Sequence, residues 1–132
     1  MYTDSESHTQ RLLKAAGVGL WDWNLQTNEL YFSPEWKRQL GFDEHELADV
    51  FESWSDRLHP DDRHAAITAA SEFHAGIRAR YDVEFRLRHK DGSYRWILAQ
   101  ADIRRDASGI PERMMGSHVD ITERKRTEAA LL

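Results

Sequence analysis

The sequence contains no cysteine. Its absence excludes disulfides, thiolate metal sites and a cysteine nucleophile, and it fits a reducing compartment. Basic residues are in the minority: 18 Lys and Arg against 23 Asp and Glu leave a net charge of -5. That balance gives no basic face for phosphates, so no nucleic-acid partner is expected. No apolar run approaches the length that spans a bilayer, and Met1 to Gln10 is polar, without a signal-peptide core. A cytoplasmic location without direct membrane contact is the expectation. Glycine-rich phosphate loops and nucleophile–base–orienter sets are also lacking, which argues against an enzyme.

What is present is one domain's length, 132 residues, with 5 Trp, 4 Tyr and 5 Phe that must pack somewhere. Asp4 to Ala16 reads as an amphipathic helix, with Asp4 or Ser5 as cap, Gly17 as stop, and Leu12, Leu13 and Ala16 on one face. Such a face needs a partner, either the domain itself or a second copy. From Gly19 the period becomes two: Trp21, Trp23 and Leu25 alternate with Asp22 and Asn24. A turn at Gln26-Thr27-Asn28 then leads into Leu30 and Phe32, making a hairpin. Ser33-Pro34 opens a short helix carrying Trp36 and Leu40, and Asp43 to Glu46 has capping-box spacing. His59-Pro60-Asp61-Asp62 opens the longest middle helix, expected over residues 61–77, with Ala66, Ala70, Phe73 and Ile77 inward. The second half is strand-rich. Tyr81, Val83, Phe85 and Leu87 alternate cleanly with charged residues, Asp91-Gly92 marks a tight turn, and two further strands run over residues 94–103 and 114–121. Residues 123–132 return to a helical pattern without a stop signal, so the natural protein is expected to continue.

Six short stretches, in this order, carry a family likeness: Gly19-Leu20-Trp21-Asp22-Trp23-Asn24; Tyr31-Phe32-Ser33-Pro34-Glu35-Trp36; Leu40-Gly41-Phe42 with Glu46-Leu47; Leu58-His59-Pro60-Asp61-Asp62-Arg63; Phe85-Arg86-Leu87 with Lys90-Asp91-Gly92-Ser93-Tyr94-Arg95-Trp96; and Gly116 with Asp120-Ile121-Thr122-Glu123-Arg124-Lys125. Together the sequence resembles the PAS family, in its fold 3 branch with a C-terminal PAC motif. The resemblance implies an α+β fold: a five-stranded antiparallel sheet in the order 2-1-5-4-3, with helices on one face enclosing a cavity. It divides the chain into a flanking helix (1–17), a PAS domain (18–122) and the start of a C-terminal signalling helix (123–132).

By the same resemblance the module senses and dimerises through its flanking helices. It would pass a ligand- or partner-induced change to an output domain in the same chain, a histidine kinase or a cyclic-dinucleotide enzyme. Asp120, Ile121, Thr122, Lys125 and Arg126 are the candidate transmission residues, with Thr122 as helix cap and Asp120 paired to Lys125 or Arg126. Trp36, Leu40, Ala70, Phe73, Val83, Phe85, Trp96 and Met115 are candidate cavity residues. No tightly held cofactor is expected and a small organic ligand is admitted; a haem or flavin sensor is the alternative reading, not the expected one. His59, Asp61, Asp62 and His64 resemble a metal or acid–base cluster, but a helix start favours the same residues, and no metal is expected.

Overall fold

The alternation in the second half of the chain has a direct structural consequence. In β3 (Tyr81–Arg88) the side chains of Tyr81, Phe85 and Leu87 are buried while their neighbours face out. β3 pairs antiparallel with β4 (Tyr94–Arg105), turning at Gly92 in the left-handed conformation (φ 89°). β4 pairs antiparallel with β5 (Pro111–Asp120). The first half supplies β1 (Gly19–Asn24) and β2 (Glu29–Phe32), a hairpin whose turn puts Asn28 at φ 65°. β1 then pairs antiparallel with β5, giving the sheet order β2-β1-β5-β4-β3. This is the architecture the resemblance implies.

The computed structural model describes residues 4–132, with side chains from residue 7 onward, so the expected caps Asp4 and Ser5 lie outside the described side chains. The helices are α1 (Asp4–Ala16), α2 (Pro34–Gln39), α3 (Phe51–Ser55), α4 (Pro60–His74) and α5 (Thr122–Ala130). α1 ends at Gly17, φ 68°, as its stop signal requires. α2 starts as its residues dictate, with Ser33 Oγ accepting from Trp36 N–H and Pro34 at the first helical position. Trp36 and Leu40, Trp54 of α3, and Ala66, Ala69 and Phe73 of α4 join Phe85, Leu87, Ile97 and Met114 in one core on one face of the sheet. Side chains such as Phe85 and Ile97, fully removed from water, each stabilise the fold by roughly 1.5–3 kcal/mol.

Two expectations are corrected. α4 stops at His74, because Gly76 (φ 80°) closes it and Ile77 N–H reaches back to the Glu72 carbonyl; Ile77 is left 75% exposed. Asp43 to Glu46 does not begin a helix. Glu46 Oε1 accepts from Asp43 N–H at 2.9 Å, but the segment is a turn.

Candidate functional site

The packing of α3 and α4 over the curved sheet leaves a cavity of about 50 Å³. Trp21 of β1, Trp54 of α3, Tyr81 of β3, and Met114 and His118 of β5 form much of its wall. Trp21 can lie flat across β5 because residue 116 is glycine: a Cβ there would come within 2.8 Å of the Trp21 ring and would also strike the Gln100 carbonyl. Gly19 likewise lets α2 approach, since a Cβ would meet Trp36 Cα at 2.7 Å.

The indoles differ in what their N–H groups meet. Trp23 Nε1–H donates to Asn28 Oδ1 at 2.9 Å. The buried Nε1–H groups of Trp21, Trp36 and Trp54 have no partner among the described residues. An unmet buried donor costs about 1–3 kcal/mol, so three of them in one core are a conspicuous debt. His118 sits among the same rings, with Trp36 at 5.4 Å and Phe85 at 5.5 Å. Burial pushes its imidazole down to about 3, so it is neutral at ordinary pH. Burial also raises the Tyr81 phenol well above its usual range, and it too stays uncharged.

A second set of residues lies where β5 runs into α5. Ile121 N–H donates to the Trp96 carbonyl at 2.8 Å, and Trp96 N–H donates to Thr122 Oγ1 at 3.0 Å. Thr122 in turn gives both its N–H (2.9 Å) and its hydroxyl (2.5 Å) to Asp120 Oδ1. Beyond this knot, Glu84 of β3 holds Lys125 at 2.6 Å and Arg124 at 2.7 Å, and these cations depress its carboxyl, the Lys125 hydrogen bond foremost. The Lys125 ammonium also lies 4.9 Å from the Trp96 ring, as does the Arg86 guanidinium. Arg86 is forked onto Asp62 at the start of α4, and Asp62 further accepts the Arg86 backbone N–H on the edge of β3. A continuous polar path thus links α4, β3, β4 and α5.

The transmission residues therefore meet at one junction, but two assignments change. Asp120 does not pair with Lys125 or Arg126: its Oδ1 accepts from both donors of Thr122, Lys125 goes to Glu84, and Arg126 to Glu123 at 2.9 Å on the surface. Thr122 does not cap α5, because its oxygen faces the Trp96 amide; Asp120 serves the first helical N–H instead.

Of the expected cavity residues, Ala70 lies on the wall. Trp36, Leu40, Phe73 and Phe85 are buried core beside it, and Val83 is half-buried. Trp96 and Met115 are corrected: both stand on the opposite face of the sheet, since Ile97 and Met114 take the inward positions, and Met115 is 36% exposed. His59 and Asp62 are spent on structure, His59 Nδ1 accepting from Asp61 N–H at 3.0 Å. His118 and Glu84 escaped the sequence reading. For His118 the available signal was parity: it shares the alternate positions of Met114 and Gly116.

A model of the PAS fold matches residues 29–118. The chain belongs to the PAS family. The PAS chain is 34% identical to the sensor protein FixL of Bradyrhizobium diazoefficiens over 94% of its own length. It is 28% identical to a blue-light-activated histidine kinase of Brucella anthropi over 95% of its length. It spans 24% of each of these proteins. Among solved structures, a sensory box histidine kinase/response regulator from Burkholderia thailandensis is 38% identical, with a TM-score of 0.78 over 94% of this chain and 92% of that one.

These relatives overturn the expectation that this kind of PAS domain goes without a prosthetic group. A kinase switched by blue light must carry a chromophore, because no amino-acid side chain absorbs there. As packed, the cavity here is about a third of the ~150 Å³ that admits benzene. A ring system of flavin or haem size does not fit among these side chains without displacing the indoles of Trp21 and Trp54. The sequence also holds no cysteine to form a flavin adduct.

Proposed function

We propose that this PAS domain is the sensory and dimerisation module of a multidomain signalling protein, and that it transmits a change in its interior to an output domain through α5. The observation that carries this reading is the tie between the sheet and α5: Trp96 of β4 holds both sides of the β5–α5 junction through its carbonyl and its amide. Ile97, the next residue, is fully buried in the core. A shift of β4 driven from the core therefore moves the start of α5, and the Glu84 contacts to Arg124 and Lys125 carry it along the first turn. A junction with two arrangements is what a switch requires, and whatever occupies or binds the domain need only prefer one of them.

The chemistry is non-catalytic in this reading, and the activity lies in the output domain, a histidine kinase or a cyclic-dinucleotide enzyme by analogy with the relatives. Asp120, Ile121, Thr122 and Lys125 are the transmission residues, with Arg126 a surface member. Homodimerisation through the flanking helices is supported by α1, whose described side chains are mostly solvent-facing with Leu12 57% exposed, and by Leu131 after α5, 82% exposed. None of the described helices is long and apolar enough to cross a membrane; we place the module in the cytoplasm. The test is Asp120→Ala in the full-length parent. The domain is expected to remain folded while regulated output is lost; unchanged regulation would refute transmission through this junction.

A further inference from the structure

Two cations share one aromatic ring on the outer face of the sheet, and a different carboxylate holds each. Arg86 faces Trp96 directly across the β3–β4 ladder, with its guanidinium 4.9 Å from the ring centroid. Lys125 of α5 brings its ammonium to 4.9 Å from the same residue's ring. The negative face of an indole attracts either cation, while the cations repel each other. Each is anchored away from the other. Arg86 donates from Nε and from Nη2 to Asp62 in the first turn of α4, both at 2.9 Å, and its backbone N–H reaches the same carboxylate at 2.8 Å. Lys125 is held by Glu84 at 2.6 Å. The Asp62–Arg86 fork is half-buried, so salt screens it less than an exposed pair. Glu84 and Arg86 stand two residues apart in β3 and project to the same face, about 7 Å from each other along the strand. An arginine spans that distance. Once freed from Asp62, Arg86 has two alternative partners, the Trp96 ring and Glu84, and Lys125 uses both.

We propose that Asp62 is a positioning residue for α5: by holding Arg86 it keeps that cation from competing with Lys125 for Trp96 and Glu84, so the start of α4 governs how firmly α5 docks on the sheet. This rests on the transmission reading above and gives it a control point outside the β5–α5 junction. α4 buries Ala66, Ala69 and Phe73 in the core, so a change in the core that shifts α4 also shifts Asp62. Opening the fork releases a cation beside α5, and the first turn of that helix loosens.

The experiment measures amide hydrogen exchange of the purified chain, comparing residues 122–130 with residues 94–105. Asp62→Asn keeps an oxygen for the Arg86 N–H and removes the charge that holds the guanidinium. Exchange in α5 is expected to rise about two- to fivefold, the worth of one cation–π contact, with β4 unchanged. Adding Arg86→Gln to Asp62→Asn removes the competing cation and is expected to return α5 to the exchange of the unaltered chain. A fork that is only structural gives the opposite result, since the second lesion would add to the first. Asp62→Ser, alone and with Arg86→Gln, provides the second arm if Asp62→Asn folds poorly. Unchanged α5 exchange in the single variant would overturn the proposal, as would a further rise in the double variant. Equal acceleration in α5 and β4 would also overturn it, because that marks general loosening. None of these results touches the Trp96 backbone bonds to Ile121 and Thr122; transmission through them is read separately in the output of the Asp120→Ala parent.

Discussion

The core around the cavity and the junction of β5 with α5 are built on opposite terms. In the core around the cavity, three indole N–H groups have no partner among the described residues and a neutral histidine is packed among rings. At the junction of β5 and α5 every donor of Thr122 is used, the Trp96 amide and carbonyl are both used, and Glu84 holds two cations. The first region is underbonded and the second saturated. An underbonded region can change its state at small cost when something supplies the missing acceptors. A saturated one resists, so a change that reaches it moves its parts together.

Four substitutions or conditions probe that contrast. The largest effect is expected from Trp54→Ala, which removes a ring that closes the cavity and should cost about 3–5 kcal/mol in denaturant unfolding. Trp54→Phe should cost far less, because it deletes an unmet donor with the ring. If the two were equally damaging, Trp54 Nε1–H would have a partner and the contrast would fail. Next, Thr122→Val leaves the Trp96 N–H unmatched, while the backbone N–H of residue 122 still donates to Asp120 Oδ1, and should cost about 1–3 kcal/mol. A neutral result would mean the junction is not saturated.

The third is a pH effect. His118 has its folded value pushed down to about 3 from an ordinary 6.5, so the unfolded chain takes up the proton first. Stability from this group is complete above about pH 6.5 and is lost as pH falls toward 3, with a slope of about 1.4 kcal/mol per pH unit inside that window. Between pH 6.5 and 5 the depressed carboxyls of Asp62 and Glu84 remain ionised in the folded state and only begin to take up protons in the unfolded chain near pH 5, so most of the slope belongs to histidine. Unfolding measured at pH 6.5 and pH 5 should differ by roughly 2 kcal/mol, and His118→Phe should flatten the difference. The smallest effect on stability is expected from Glu84→Gln, below about 1 kcal/mol, since the ion pairs are partly exposed and screened by salt.

The contrast also explains what the amino-acid order disclosed. Strand parity alone put Tyr81, Phe85 and Leu87 inward, and the left-handed turn at Asn28 followed from its side chain. The order of the strands came from family resemblance; periodicity does not choose neighbours. Trp96 and Met115 went wrong by a single step of parity, which reverses the face of a residue. The cavity wall was hardly legible, because it depends on where the curved sheet leaves room among aromatics that are all equally apolar in sequence. The partner of Asp120 was misassigned because Lys125 is taken by Glu84, which enters the junction only once β3 and α5 are brought together in space.

The claim that α5 is positioned by its bonds to the sheet is tested most directly by Glu84→Gln. Amide hydrogen exchange along residues 122–130 and regulated output of the full-length parent would be measured on the same variant. The account predicts faster exchange in the first turns of α5, unchanged exchange in β3 and β4, and altered output. Faster exchange with output regulated as in the unaltered parent would contradict it.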